Sequence, residues 1–157
     1  HWLPDRSIGF HPWLEQHGAH VDLGEMVDFA HWTTPPTSPK RWDTRFFLAR
    51  APQDGELCCD GVETVEAEWV QPQHALERDP GDGRGLLFST MANLQLLAMS
   101  SSVEEAFEAA RDRVLCPVTP VALRENGRVM ISIPEEAGYP VSAAWFDDVL
   151  SITTPGR

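Results

Sequence analysis

Arg41, Asp43 and Arg45 alternate with apolar residues in the segment Arg41-Trp42-Asp43-Thr44-Arg45-Phe46-Phe47-Leu48-Ala49. In an extended strand, Trp42, Thr44, Phe46 and Leu48 share one face and the three charged residues the other. The planar fork of arginine makes paired hydrogen bonds to phosphate oxygens, so this face is a candidate grip for phosphate. A purely structural role, with Asp43 pairing both arginines on a half-exposed sheet face, is equally consistent with the spacing.

Three other groupings carry weaker signals. His11, His17 and His20 have ligand-type side chains, but zinc needs three or four donors converging on a tetrahedron. Gly18 interrupts any helix that would align them, so they read as surface histidines. Glu104 and Glu108 stand four apart on a helix, where a divalent cation could bridge them. Arg111 offers Glu108 a partner and Glu104 falls where the helix dipole favours an acid, so a solvated face is expected. Gly81-Asp82-Gly83-Arg84-Gly85 superficially resembles a phosphate loop, yet no strand leads into it and no Lys-Ser/Thr follows. GxSxG, CxxC and Walker motifs do not occur.

The elements that position these residues are mixed. Residues 41–49 read as one strand and 64–70 (Thr-Val-Glu-Ala-Glu-Trp-Val) as a second, with Val65, Ala67 and Trp69 opposite Glu66 and Glu68. Pro72 suits the first turn of a short helix over 73–78. A longer helix is expected over 86–99, with Leu87, Met91, Leu94 and Ala98 on one stripe. Ser102 and Glu105 form a capping box opening a helix over 102–113, with Val103, Ala106, Phe107 and Ala110 as its apolar stripe. Asn126-Gly127, between Pro120–Leu123 and Val129–Ile133, signals a tight hairpin. The class is therefore α+β.

The chain has 157 residues, 12 basic and 24 acidic side chains, and a formal net charge of −12. Residues 51–113 hold four basic and thirteen acidic residues, whereas residues 1–50 hold five and six. Such a balance argues against nucleic acid or an anionic membrane as partner. No run approaches the roughly 20 apolar residues of a membrane helix. The first residues, His1-Trp2-Leu3-Pro4-Asp5-Arg6, do not read as a targeting signal, since no apolar run follows a basic start. Cys58, Cys59 and Cys116 make a poor disulfide framework, which points to a reducing, cytoplasmic setting.

The order of blocks resembles the C-terminal part of a Nudix hydrolase, in the branch that includes peroxisomal coenzyme A diphosphatases. The segment Phe29-Ala30-His31-Trp32-Thr33-Thr34-Pro35 leads into Arg41–Ala49. Glu63-Thr64-Val65-Glu66-Ala67-Glu68-Trp69-Val70-Gln71-Pro72 then leads into Ala75-Leu76 and the two later helices. The resemblance implies a Nudix-like α/β/α sandwich with a mixed sheet and a C-terminal hairpin. It places an incomplete Nudix-like domain over residues 1–140 and a C-terminal tail over 141–157. The family's box, G-x5-E-x7-R-E-x2-E-E-x-G, holds Mg²⁺ or Mn²⁺. It does not occur in this sequence, and the resemblance places it ahead of Phe29, so the catalytic N-terminal part is expected to lie outside this chain. No metal site is therefore assigned. The activity implied is hydrolysis of a diphosphate linked to another moiety, coenzyme A or a nucleotide derivative, with the chain alone inactive. Arg41, Asp43 and Arg45 would bind that small-molecule substrate, and Glu63 and Glu66 would be the catalytic carboxylates outside the box. The competing readings are a degenerate Nudix module that binds a phospholigand or a protein without chemistry, and a homodimer that covers an exposed sheet edge.

Overall fold

The computed structural model describes residues 9–36, 38, 40–51, 57, 59, 61–62, 64–77 and 86–145. Glu63, Cys58 and the Gly81–Gly85 loop lie outside the described residues. The described residues fall into two compact units, one drawn from residues 1–26 and 49–69, the other from 27–48 and 70–157. The architecture is mixed α and β, with two small antiparallel sheets and, among the described residues, four helices.

The first unit contains helix α1 (Phe10–Gln16), which buries none of its residues. Trp13 and His17 stack at 4.3 Å, and His17 Nδ1 lies 2.8 Å from the Trp13 carbonyl oxygen. A single 3₁₀ turn follows at Leu23–Glu25, where the Asp22 carboxylate accepts from the Gly24 amide at 3.0 Å. The strand expected over 64–70 does not form. These residues are irregular, with Val65 81% and Trp69 69% exposed. Alternation alone was present there; a strand also needs a neighbour to pair its amides and carbonyls and an apolar layer to cover one face.

The second unit holds the core. Strand β1 (Met26–Thr33) pairs with β2 (Asp43–Ala49). Thr34 closes the connection between them: its amide donates to the Trp42 carbonyl at 2.9 Å, and its hydroxyl accepts from the Trp42 amide at 3.0 Å. On its other side β1 meets the chain at Val118 in a short parallel bridge, with bonds of 2.8 and 2.9 Å. β1 thus contributes Phe29, Ala30 and Trp32 to the core, with relative exposures of 7%, 2% and 5%.

Helix α2 (Pro72–Leu76) opens with Pro72 in its first turn, as expected. Helix α3 (Phe88–Ala98) lies within the expected span, but its buried side is Phe88, Ala92 and Asn93, not the stripe from Leu87 to Ala98. Leu87 is exposed. α3 has apolar residues around most of its circumference, so periodicity could not fix its inner face.

Helix α4 (Val103–Asp112) is capped by Ser102, whose hydroxyl accepts from the Glu105 amide at 3.1 Å. The reciprocal half of the box is displaced by one residue. Glu105 accepts from the amide and hydroxyl of Ser101, at 2.6 and 2.7 Å, instead of from Ser102. Phe107 and Ala110 are buried from the expected stripe, and Val103 is exposed. Arg111 lies over the Phe107 ring at 5.5 Å and makes no described ion pair with Glu108.

Strands β3 (Val121–Glu125) and β4 (Arg128–Ser132) form the expected hairpin, with Glu125 opposite Arg128. Asn126 and Gly127 take φ values of 50° and 82°, as a two-residue turn with both central residues left-handed requires. Strand β5 (Ala143–Trp145), in the segment read as a tail, adds to β4 antiparallel and makes the sheet order β3-β4-β5. No helix among the described residues is long and apolar enough to cross a membrane.

Candidate functional site

In the second unit a groove of about 650 Å³ opens beside the aromatic face of β2. Trp42, Thr44 and Phe46 form one wall, because alternate residues of an extended chain share a side. Trp32 and Phe88 form the floor, with their rings edge-to-face at 6.0 Å. Pro120, Ala122, Val129 and Ile131 from the hairpin supply the opposite wall. The lining is mostly apolar; its residues with polar side chains are Thr33, Thr34, Thr44, Ser38, Ser89 and Thr90, with the indoles of Trp32 and Trp42.

The strand expected over 41–49 begins at Asp43, so of the three charged residues singled out Arg41 precedes β2 and Asp43 and Arg45 lie within it. Arg41 adjoins the groove: its Nε donates to the carbonyl of Thr34, a lining residue, at 3.2 Å. Lys40 stands beside it, with its ammonium 4.5 Å from the centre of the Trp42 ring. Asp43 and Arg45 occupy the alternate positions of β2 and contact β1. Asp43 bonds the His31 imidazole, whose side chain is 17% exposed. Arg45 lies 3.6 Å from Asp28, with both side chains about half exposed. An exposed pair such as Asp28–Arg45 contributes about 0–1 kcal/mol.

Glu66 lies on the irregular segment of the first unit, and Glu63 lies outside the described residues. Among the described residues no group of three or more His, Cys, Asp or Glu side chains converges as a metal site.

Sequence reasoning missed the polar cluster under the groove floor. Trp32 Nε1 donates to the Tyr139 hydroxyl at 2.9 Å and to Asn93 Oδ1 at 3.2 Å, while the Tyr139 hydroxyl donates to Asn93 Oδ1 at 3.1 Å. The Arg113 guanidinium lies over the Tyr139 ring at 4.4 Å and donates to the Ala137 carbonyl at 2.6 Å. Burial pushes the Tyr139 phenol above its ordinary pKa; the Arg113 charge, then hydrogen bonds with Trp32 and Arg113, act in the opposite sense. The available signal was an asparagine within a mostly apolar helix, because an amide buried there needs partners. This cluster turns the one polar atom of the Trp32 ring away from the groove and holds the ring in place.

No protein-family model, no curated protein and no solved structure matches this chain.

Proposed function

We propose that this chain binds a small molecule containing a diphosphate, as the substrate-gripping part of a Nudix-type hydrolase with a Nudix-like sandwich fold. The linked moiety would be coenzyme A or a nucleotide derivative, met in a reducing, cytoplasmic setting. The observation that carries the reading is the pairing of Lys40 and Arg41 with an apolar groove of drug-sized volume. In a protein of net charge −12 an anionic ligand needs such a local cationic spot. The order of sequence blocks around β1 and β2 supports the family assignment.

The Mg²⁺ or Mn²⁺ of that family is not matched by the described residues, which bring no sufficient set of ligands together. We therefore derive no hydrolytic step from them. Their roles are binding and positioning: Arg41 meets phosphate, and Asp43 and Arg45 hold β2 against β1.

Calorimetric titration of the whole chain with coenzyme A, ADP-ribose and a dinucleoside polyphosphate tests the reading. At least one should bind, and Arg41→Ala should weaken it about 10- to 100-fold, the worth of a charge-assisted hydrogen bond. Arg45→Ala should change affinity far less. Absence of binding, or indifference to Arg41→Ala, sinks the proposal. Assaying the same mixtures for product with Mg²⁺ or Mn²⁺ separates a hydrolase from a binding module, and loss of turnover in Glu66→Gln would assign Glu66 to catalysis.

A further inference from the structure

We propose that the groove receives a hydrocarbon chain rather than a nucleobase, and that Lys40 and Arg41 hold the anionic end of that ligand. The inference rests on the reading of the groove as a ligand site and specifies which chemical group fills it.

The first observation is what the walls offer. A nucleobase is selected most sharply by paired donors and acceptors along its edge, the work of side-chain amides, carboxylates or guanidinium groups, with Ser and Thr hydroxyls less selective. Trp32, Phe46, Phe88, Ala122 and Ile131 line this groove with carbon, and its polar lining side chains are hydroxyls and the Trp42 indole, with no amide or carboxylate among the described lining residues. The Trp32 indole N–H, which could read a base, is committed to Tyr139 and Asn93.

The second observation is how the ring faces are used. Sandwiching a base takes two parallel aromatic faces. Trp42 has one face under the Lys40 ammonium, at 4.5 Å, and Trp32 meets Phe88 and Tyr139 edge-to-face at 6.0 and 5.2 Å, so the described ring contacts at the groove include no parallel stack. Such walls suit aliphatic groups more readily than they form a slot for a flat heterocycle. Trp42 and Leu87 are 59% and 58% exposed, so an entering chain would cover apolar surface that now faces water.

The third observation is charge. Lys40 and Arg41 stand together against Trp42 and Thr34, both lining residues. Asp43 is occupied with His31. An amphiphile with a hydrocarbon tail and a phosphate or carboxylate head satisfies the walls and this cationic spot together.

The test uses the full chain, with tryptophan fluorescence and calorimetry, against butyl, hexyl and octyl phosphate below their aggregation limits. Octanol and adenosine monophosphate serve as comparison ligands. Affinity should tighten about two- to fourfold per added methylene, the range for partly to fully buried CH₂ groups. Octyl phosphate should bind at least tenfold tighter than either adenosine monophosphate or octanol. Ala122→Trp and Thr44→Trp, two exposed positions on opposite walls, should each abolish the chain-length dependence. Affinity independent of chain length overturns the proposal, and so does tighter binding of adenosine monophosphate than of octyl phosphate. Equal binding of octanol and octyl phosphate overturns the assignment of Lys40 and Arg41. Chain-length dependence persisting in both tryptophan variants moves the site elsewhere and sinks the proposal as well. A flat chain-length series alongside Arg41-sensitive diphosphate binding defeats this inference alone. The opposite pattern defeats the diphosphate reading while leaving the hydrocarbon assignment standing.

Discussion

Tyr139 is the only tyrosine of the chain, so its ionisation can be read without interference. Its hydroxyl both accepts, from Trp32, and donates, to Asn93, and it sits under the floor of the groove. Burial raises the phenol's pKa, and the Arg113 charge only partly offsets this. A folded-state value above the unfolded one means that the folded protein holds the proton more tightly. The corresponding stability is intact below about pH 10, the unfolded phenol value, and is lost as pH rises through the higher folded value. Tyrosinate absorbance should therefore appear only above pH 10, together with loss of tertiary signal; a midpoint at or below the free value would contradict the burial argument. Tyr139→Phe should abolish this alkaline loss. It should also cost about 1–3 kcal/mol in urea unfolding at neutral pH, because it removes two hydrogen bonds, one from Trp32 and one to Asn93, each worth about 0.5–1.5 kcal/mol.

At the scale of elements, what could be read from sequence is what is decided locally. The Asn126-Gly127 turn, the Ser102 cap of α4 and the Pro72 start of α2 each depend on a few neighbouring residues, and each occurs where expected. Residues 64–70 show the converse, since alternation there had no partner strand to answer it. β1 escaped notice as a strand because it is covered in its middle: Phe29 and Ala30 are both buried, which erases the period of two. The α4 cap yields a direct prediction. Ser102→Ala should cost about 1 kcal/mol, measured by thermal or urea unfolding, with little change in the native spectrum. Glu105 adds a pH signature. Its hydrogen bonds from Ser101 hold its carboxyl below the ordinary range. That contribution is present above about pH 4.3, the unfolded glutamate value, and is lost as pH falls through the lower folded value. Within the same unfolding series, Glu105→Gln should flatten this part of the acid limb.

At the scale of the whole molecule, the groove was illegible because it is assembled from residues as far apart as Trp32, Phe88 and Ile131. Their separate positions carry no signal that they meet. The alternation over residues 41–49 singles out Arg41, Asp43 and Arg45 together, and only the pairing of β1 with β2 shows that Asp43 and Arg45 meet partners on β1 while Arg41 bonds Thr34. Charge, by contrast, is a property of the whole sequence, and it supports a prediction independent of any site. A net charge of −12, concentrated in residues 51–113, repels itself more in the compact state than in the expanded one. Opposing this are ion pairs that salt would weaken. Among these pairs are Asp28–Arg45, His31–Asp43 and His11–Glu15, and the last is exposed on both sides. Exposed pairs contribute at most about 1 kcal/mol each and often nothing, so relief of repulsion should prevail. Raising KCl from about 20 mM to 300 mM shortens the screening length from roughly 20 Å to about 6 Å. If the gain is about 1 kcal/mol, Tm should rise by about 2–4 °C for a chain of this size. Scanning calorimetry at constant pH reads this directly. A Tm that stays level or falls would mean that the carboxylates of residues 51–113 are paired or spread well enough for their formal charge not to strain the fold.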